Sequence, residues 1–290
     1  QSSTQGRNSI AVAIFIETAN PTFDFESRFR AIVGNARTRQ LSGAVSGPIV
    51  GGQLAFRLAG DLRRGRGSTR LAGPVEGVSL NHDDSGVVRA KLLAEPRALP
   101  DLKVLLTYSH ISSAMPQVAS VRPPVEERRD PFYVFGYFKT DVDSVTAAIT
   151  YPVTDALGSR TTVSWGDAAI RRFAPRSFGE TRIRGRDRSF ETVLDWKPGG
   201  PVSVIGGLHL LANDLDQQID LAAALLGTGE FRDKQRSGGL FGEVEWRPTE
   251  RLTVTGGLRY QVDAKDRTGV LHTRLSDLLL DYHKSFNAVL

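Results

Sequence analysis

The sequence predicts an all-β chain, an antiparallel up-and-down β-barrel that crosses an outer membrane. Prolines recur roughly every 50 residues, a period that indicates repeated architecture. Each proline lies between two stretches in which apolar and polar residues alternate, and a long polar segment precedes the next proline. Short turns at one end and long loops at the other are typical of outer-membrane barrels, whose turns are periplasmic and whose loops are extracellular. The prolines are Pro48, Pro96, Pro152, Pro198 and Pro248.

The alternation is clearest in residues 54–62, where the even-numbered positions are apolar or glycine and the odd-numbered positions include Arg57 and Asp61. Because side chains of a strand point alternately to its two faces, this stretch has one apolar face and one charged face. The same pattern recurs in residues 202–210 and 252–262.

These patterns predict about twelve strands of about 10 residues, the length that a tilted strand needs to cross hydrocarbon. The predicted spans are 23–33, 37–47, 53–64, 85–94, 102–112, 140–151, 157–167, 187–196, 202–213, 237–247, 252–262 and 281–290. The predicted extracellular loops are 65–84, 113–139, 168–186, 214–236 and 263–280. Within the fourth of these loops, the Ala-rich stretch 219–226 fits either a short helix or a packed loop.

Aromatic residues lie next to three of the predicted turns, at Tyr151, Trp196 and Trp246. Tyrosine and tryptophan favour the membrane interface because one part of the ring is apolar and another part forms hydrogen bonds. We therefore expect a girdle of these three side chains at the periplasmic interface. In a soluble β-sandwich the same residues would cap the core.

Composition restricts the possible partners. The net charge is +5 and there is no cysteine, which excludes disulfides and thiolate metal sites. The basic residues are spread along the chain, so we expect no nucleic-acid partner. The sequence contains no run of 18 apolar residues, so no transmembrane helix is predicted. The mean hydropathy of −0.22 fits both alternating strands and a soluble protein.

A resemblance to a known family adds to these patterns. Residues 6–18 resemble the last stretch of the plug domain of TonB-dependent outer-membrane receptors, in which Gly-Arg-Asn leads to small residues and a short apolar strand ending in Thr. Residues 41–50 and 54–60 resemble the second and third barrel strands of that family. The sequence departs from the family at Val12, where Gly is common.

The resemblance implies a domain organisation, with the end of the plug at residues 1–20 and the barrel at residues 21–290. Family barrels have 22 strands, so the chain is expected to be a truncated piece with about 12 of them. Twelve strands leave two open edges with unpaired backbone groups, so we expect that the segment alone does not insert as a closed pore.

The resemblance also implies a function, the active uptake of a scarce nutrient, above all a ferric siderophore, across the outer membrane of a Gram-negative cell. The implied partners are the TonB complex, which would act through the region before residue 6, and outer-membrane lipid with lipopolysaccharide. No catalytic residue and no cofactor is expected.

Two groups of residues are candidates for ligand contact. Arginines are dense between residues 171 and 188, and a cluster facing the lumen would attract anionic iron chelates by charge. A nearby aromatic stretch offers contact area for such a ligand. The alternative for both groups is a role in loop structure. The candidates are Arg171, Arg172, Arg182, Arg184, Tyr133 and Tyr137.

Enzyme motifs are scarce. The sequence contains no Gly-x-Ser-x-Gly, Walker or His-Glu-x-x-His pattern, and residues 82–84, His-Asp-Asp, lack the spacing of a metal site. We therefore expect no metal. Two other classes remain open: a passive porin or structural barrel without energy coupling, and a soluble repeat protein such as a β-propeller, whose blades pack four short strands into a similar period.

Overall fold

In the computed structural model, one sheet of twelve antiparallel strands accounts for most of the chain. The structure describes residues 17–66, 70–71, 75, 78–117, 121–130, 136–224, 227–272 and 279–289. Each strand pairs with the one before it in the sequence, which is the up-and-down order that was predicted. The strands are β1 (Glu26–Val33), β2 (Arg39–Val50), β3 (Leu54–Arg64), β4 (Asp84–Ala94), β5 (Lys103–Pro116), β6 (Tyr137–Thr154), β7 (Leu157–Phe173), β8 (Glu180–Trp196), β9 (Val202–Leu221), β10 (Gly227–Thr249), β11 (Leu252–His272) and β12 (Leu279–Val289).

The minor elements lie in the connections at the end of the sheet opposite the short turns. Two 3-10 turns span Val125–Glu127 and Ala222–Ala224, and the two-residue strands Arg70–Leu71 and Arg129–Asp130 pair in parallel. The stretch 219–226, a predicted helix or packed loop, continues β9 as far as Leu221; residues 225–226 lie outside the described part. No helix among the described residues is long and apolar enough to cross a membrane.

Tight turns at residues 51–53, 155–156 and 250–251 join strands at one end of the sheet. Pro48, Pro152 and Pro248 lie next to these turns, and at each of them the register of the ladder shifts before the hairpin closes. Proline has no N–H to give to a ladder, so strand ends and bulges are where a sheet accepts it. The proline repeat therefore marks the hairpins, as predicted.

The two faces of the sheet differ in the way that the alternation predicts. One face, called here the outer face, carries exposed apolar side chains such as Leu58, Leu210 and Leu258. The other, the inner face, carries buried polar side chains such as Lys91 and His209. In a membrane barrel the apolar face meets lipid and the polar face lines the lumen.

Along each central strand the outer face changes from apolar to charged. On β8, counted from the turn end, the outer residues are Trp196, Leu194, Thr192, Phe190, Arg188, Arg186, Arg184 and Arg182. On β9 the outer positions are apolar or glycine from Val202 to Ala212, a length that is enough to cross the bilayer when the strand is tilted. We call this part of the outer face the apolar band.

The strands continue beyond the apolar band, so the predicted loops 168–186, 214–236 and 263–280 were wrong over most of their length. Strands β9, β10 and β11 are 20, 23 and 21 residues long. Beyond the band, the backbone ladder is accompanied by cross-strand ion pairs. They are Arg186–Asp167 at 3.2 Å, Arg232–Asp216 at 2.6 Å and Arg236–Asp214 at 3.0 Å. The connections 65–83 and 117–136 are long, as predicted.

Candidate functional site

Arg172, near the loop end of β7, joins connections that are far apart in the sequence. Its Nε and Nη2 donate to Oε1 of Gln117 at 2.9 and 2.7 Å. Its Nη1 donates to the carbonyl oxygens of Phe178 and Gly179 at 2.9 and 2.5 Å. Burial lowers the pKa of Arg172 from its ordinary value. Four of its bonding directions are occupied within the protein, which favours the structural role over ligand contact.

Asp220, at the end of β9, extends this network to a third connection. Its carboxylate accepts from the hydroxyl of Ser177 at 3.1 Å and from the backbone N–H of Ala222 at 3.0 Å. The backbone N–H of Gly179 donates to the carbonyl of Asp220 at 2.6 Å. The connections that follow β5, β7 and β9 are therefore linked by hydrogen bonds at the end of the sheet opposite the tight turns.

Tyr137, at the start of β6, is only 3% exposed and packs in an apolar cluster with Val75, Leu80 and Phe173. Burial, with the nearby carboxylates of Asp83 and Asp84 as smaller causes, raises its pKa to about 12. The other aromatic candidate, Tyr133, lies outside the described residues. A buried phenol offers little surface to a ligand, so the position of Tyr137 favours a role in loop packing.

Three arginine candidates, Arg171, Arg182 and Arg184, lie on the outer face beyond the apolar band and are exposed. Arg171 faces Arg182 directly across the β7–β8 ladder, and on its other side it faces Lys139 of β6. Its guanidinium also stacks on the ring of Phe173, 4.3 Å from the centroid. These arginines thus share the face of Trp196, whereas the hypothesis of attraction by charge concerned a cluster that faces the lumen.

A cavity of about 550 Å³ brings three of the predicted residues together. Arg171, Arg172 and Arg182 line it on the side of β7 and β8, and the carboxylates of Asp220 and Glu230 belong to its lining on the side of β9 and β10. With Glu180 of β8 also in the lining, the cavity brings basic and acidic side chains together at the ends of the strands opposite the tight turns. Arg184 is not among its lining residues.

The inner face holds a contact that sequence reasoning missed. Lys91 of β4 is 6% exposed and donates to the carbonyl of Thr18 and to Oδ1 of Asn20, both at 2.8 Å. Ser46 of β2 is fully buried and accepts from the backbone N–H of Thr22 at 2.9 Å. Residues 18–22 are thereby bound to the inner wall of the sheet. A lysine on the inner face of a predicted strand was the available hint, but its partners are more than 70 residues away.

The predicted interface aromatics Tyr151, Trp196 and Trp246 lie at the turn ends of β6, β8 and β10, on the outer face. A second set of aromatics lies on the same face toward the loop end of the apolar band and was not predicted. It consists of Tyr108, Trp165 and Tyr260, which are 40, 40 and 56% exposed. Trp165 and Tyr260 each follow an aromatic of the first set, Tyr151 and Trp246, by about 14 residues in the sequence, and this repeat could have identified them.

Several solved structures share this architecture. No protein-family model matches the chain. Its fold matches the ferric yersiniabactin uptake receptor FyuA from Yersinia pestis with a TM-score of 0.75 at 17% identity, over 94% of this chain and 44% of the receptor. The chain has the barrel fold of TonB-dependent receptors. The predicted fold class and the predicted resemblance are confirmed at the level of the fold.

Two further receptor barrels support this assignment. The ferric-catecholate import receptor Fiu from E. coli K12 matches with a TM-score of 0.68 at 11% identity, over 94% of this chain and 52% of that protein. The alcaligin outer-membrane receptor FauA from Bordetella pertussis matches at 0.62 and 16%, over 93% and 40%. The chain thus spans about half the length of these receptors or less. The fold that the chain shares with these receptors agrees with the predicted location in the outer membrane.

Proposed function

We propose that this chain forms part of an outer-membrane receptor that takes up a scarce nutrient, a ferric siderophore, with energy supplied through TonB. In this proposal residues 1–20 are the end of a plug and residues 21–290 are barrel. The chain carries out no bond chemistry and needs no cofactor. Support comes from the fold that it shares with receptors named for ferric yersiniabactin, ferric-catecholate and alcaligin.

The observation that carries the proposal is the binding of residues 18–22 to the inner face. Lys91 is a buried cation whose two hydrogen bonds both go to this segment. A buried charge is costly unless it is paired or hydrogen-bonded, so Lys91 favours a segment held in this place. A passive porin needs an open lumen and has no use for such an attachment. The contact therefore favours the plugged receptor over the porin alternative.

The hydrogen bonds around Arg172 suggest where a ligand would bind. Arg172 and Gln117 hold the connections after β5 and β7 together, so the end of the sheet opposite the tight turns is preorganised. Preorganised loops bind with less loss of conformational freedom on association. We expect ligand contact at side chains around the cavity beside Arg172 rather than at Arg172 itself.

Transport assays in the source cell test this function. The gene is deleted, and uptake of siderophores loaded with radioactive iron is measured with and without an uncoupler of the proton-motive force. We expect deletion to abolish uptake of one siderophore class, complementation to restore it, and the uncoupler to stop it. Uptake that persists with the uncoupler would support the passive porin, and unchanged uptake of every chelate after deletion would refute the siderophore cargo.

A further inference from the structure

The inner face of β6 carries small side chains from one end of the strand to the other. None of them is charged, and none is larger than valine or threonine. At a rise of about 3.3 Å per residue they extend about 33 Å along the strand, enough for a tilted strand to cross an apolar band about 25 Å tall. These residues are Thr140, Val142, Ser144, Thr146, Ala148 and Thr150.

The neighbouring strands continue this smooth surface on both sides of β6. On β5, Ser109 lies directly opposite Ser144, and on β7, Ser164 lies opposite Thr146. We call the whole surface the hydroxyl strip, because most of its side chains end in a hydroxyl group. It consists of the six residues of β6 with Thr107, Ser109, Thr162, Ser164, Gly166 and Ala168.

Charged side chains stand on both sides of the hydroxyl strip. On β4, Arg89 and Lys91 lie beside it, and Lys91 holds the segment 18–22 by its hydrogen bonds. On β8, Asp187 and Glu191 lie beside it. The strip is therefore an uncharged lane between a basic and an acidic wall, and the segment 18–22 is bound on the basic side.

One hydroxyl group of the strip is buried and has no partner. Ser109 is 7% exposed, and its Oγ forms no hydrogen bond with any described residue. By contrast, Ser164 is hydrogen-bonded to Ser189 of β8, with 2.5 Å between their Oγ atoms. A buried hydroxyl without a hydrogen bond is costly, so a polar group that reached Ser109 would gain a bond that the protein itself does not supply.

On the basis of the proposed function, we propose that the hydroxyl strip is the part of the inner wall along which cargo passes the plug, and that it suits a chelate whose surface carries oxygen atoms. Serine and threonine hydroxyls both donate and accept hydrogen bonds, so successive rows can exchange them with such a surface. Passage requires contacts that are weak and numerous enough to release the cargo, which a charged wall does not offer. Lys91 meanwhile keeps the segment 18–22 on another part of the wall.

Cysteine labelling in the source cell tests the strip, because the chain has no cysteine of its own. The full receptor carries Ser144→Cys or Thr146→Cys, with the unchanged receptor as background. Intact cells are exposed to fluorescein maleimide, an anionic reagent that does not cross the membrane. Rates are measured with and without an uncoupler of the proton-motive force, and urea-denatured protein shows that each thiol can react.

Two matched controls accompany these variants. The inner-face control is Ser46→Cys, in the same row as Thr146 but bonded to the segment 18–22. The outer-face control is Val145→Cys, between the two strip variants on β6, whose thiol meets lipid and stays protonated and unreactive. Heat-modifiable mobility on gels shows that each variant is folded.

In cells with a proton-motive force, we expect Ser144→Cys and Thr146→Cys to be labelled at least about tenfold faster than the two controls, because the labelling rate follows the time that a site is open. Labelling of Ser46→Cys or Val145→Cys at the rate of Ser144→Cys would overturn the proposal, as would a complete lack of labelling in both strip variants. Labelling of the strip that is equal with and without the uncoupler would support the strip and contradict uptake driven through TonB, so the two proposals fail separately.

Discussion

The ring of Phe241 on β10 lies directly against Gly207 on β9, its partner across the ladder. A Cβ atom at position 207 would be 2.5 Å from Cζ of Phe241 and equally close to the carbonyl oxygen of Thr192. Both residues face the inner side of the sheet, where Phe241 is buried. The absence of a side chain at Gly207 is therefore what allows the aromatic ring to lie this close to the backbone of β9.

Replacing Gly207 should consequently destabilise the barrel. We expect Gly207→Ala to lower the free energy of unfolding by about 1–3 kcal/mol, the usual cost of overpacking. The neighbouring Gly206→Ala is the control, because its Cβ would be 3.5 Å from the carbonyl oxygen of Phe241, an ordinary contact. Urea unfolding of the detergent-solubilised protein measures both. Equal stability of the two variants would show that the ring of Phe241 and the backbone at Thr192 both move aside without cost.

The membrane-crossing half of the fold could be predicted from the sequence because burial in lipid imposes strict alternation. The outer position of Leu58 and Leu258 and the hairpins beside Pro152 and Pro248 follow from that pattern. The strand segments beyond the apolar band gave no such pattern, since a stretch of arginine and aspartate is equally typical of a loop. There the backbone ladder runs on beside ion pairs between neighbouring strands, such as Arg232 with Asp216.

The candidate site was less predictable for a similar reason. The position of the Arg172 side chain is fixed by hydrogen bonds to Gln117, which is 55 residues away, and to loop carbonyls. No sequence pattern predicts these contacts. The face on which two of the candidates lie could, however, have been predicted. Arg182 and Arg184 have the same parity as Trp196 on β8, so the alternation already implied that they share the outer face. On β7 the same count from Trp165 places Arg171 on the outer face and Arg172 on the inner face.

Removing the buried cation at Lys91 should release the segment that it holds. We expect Lys91→Met to speed amide hydrogen exchange over residues 18–22, because the half-buried carbonyl of Thr18 loses its donor. Arg89→Met is the matched control, on the same strand and face, since the described residues give Arg89 no hydrogen bond. The attachment would be refuted by identical exchange of this segment in the two variants.

Arg172→Lys should loosen the connections at the end of the sheet opposite the tight turns. A lysine ammonium cannot reproduce the planar fork that serves Gln117, Phe178 and Gly179 together. We expect limited proteolysis at residues 174–179 to become about tenfold faster, because cleavage follows the open population when reclosing is fast. Arg171→Lys keeps a cation over Phe173 and should be cleaved at the original rate. Faster cleavage in both variants would assign the effect to the loss of any guanidinium group at this end of the sheet, not to the bonds of Arg172.

The two sets of aromatics predict where tryptophan fluorescence is quenched. The chain has 3 tryptophans: Trp165 toward the loop end of the apolar band, and Trp196 and Trp246 at the turn ends. Tryptophan prefers the headgroup level of a bilayer, and the apolar band of such barrels is about 25 Å tall. Variants that keep one tryptophan each, with phenylalanine at the other two positions, are reconstituted in lipids brominated near the headgroup or near the chain end. We expect stronger quenching by the shallow label for all three, because each residue lies near one edge of the band. Stronger quenching of Trp165 by the deep label would place it in the bilayer centre, and the strands would then cross the membrane at a different height from the one that the charged rows imply.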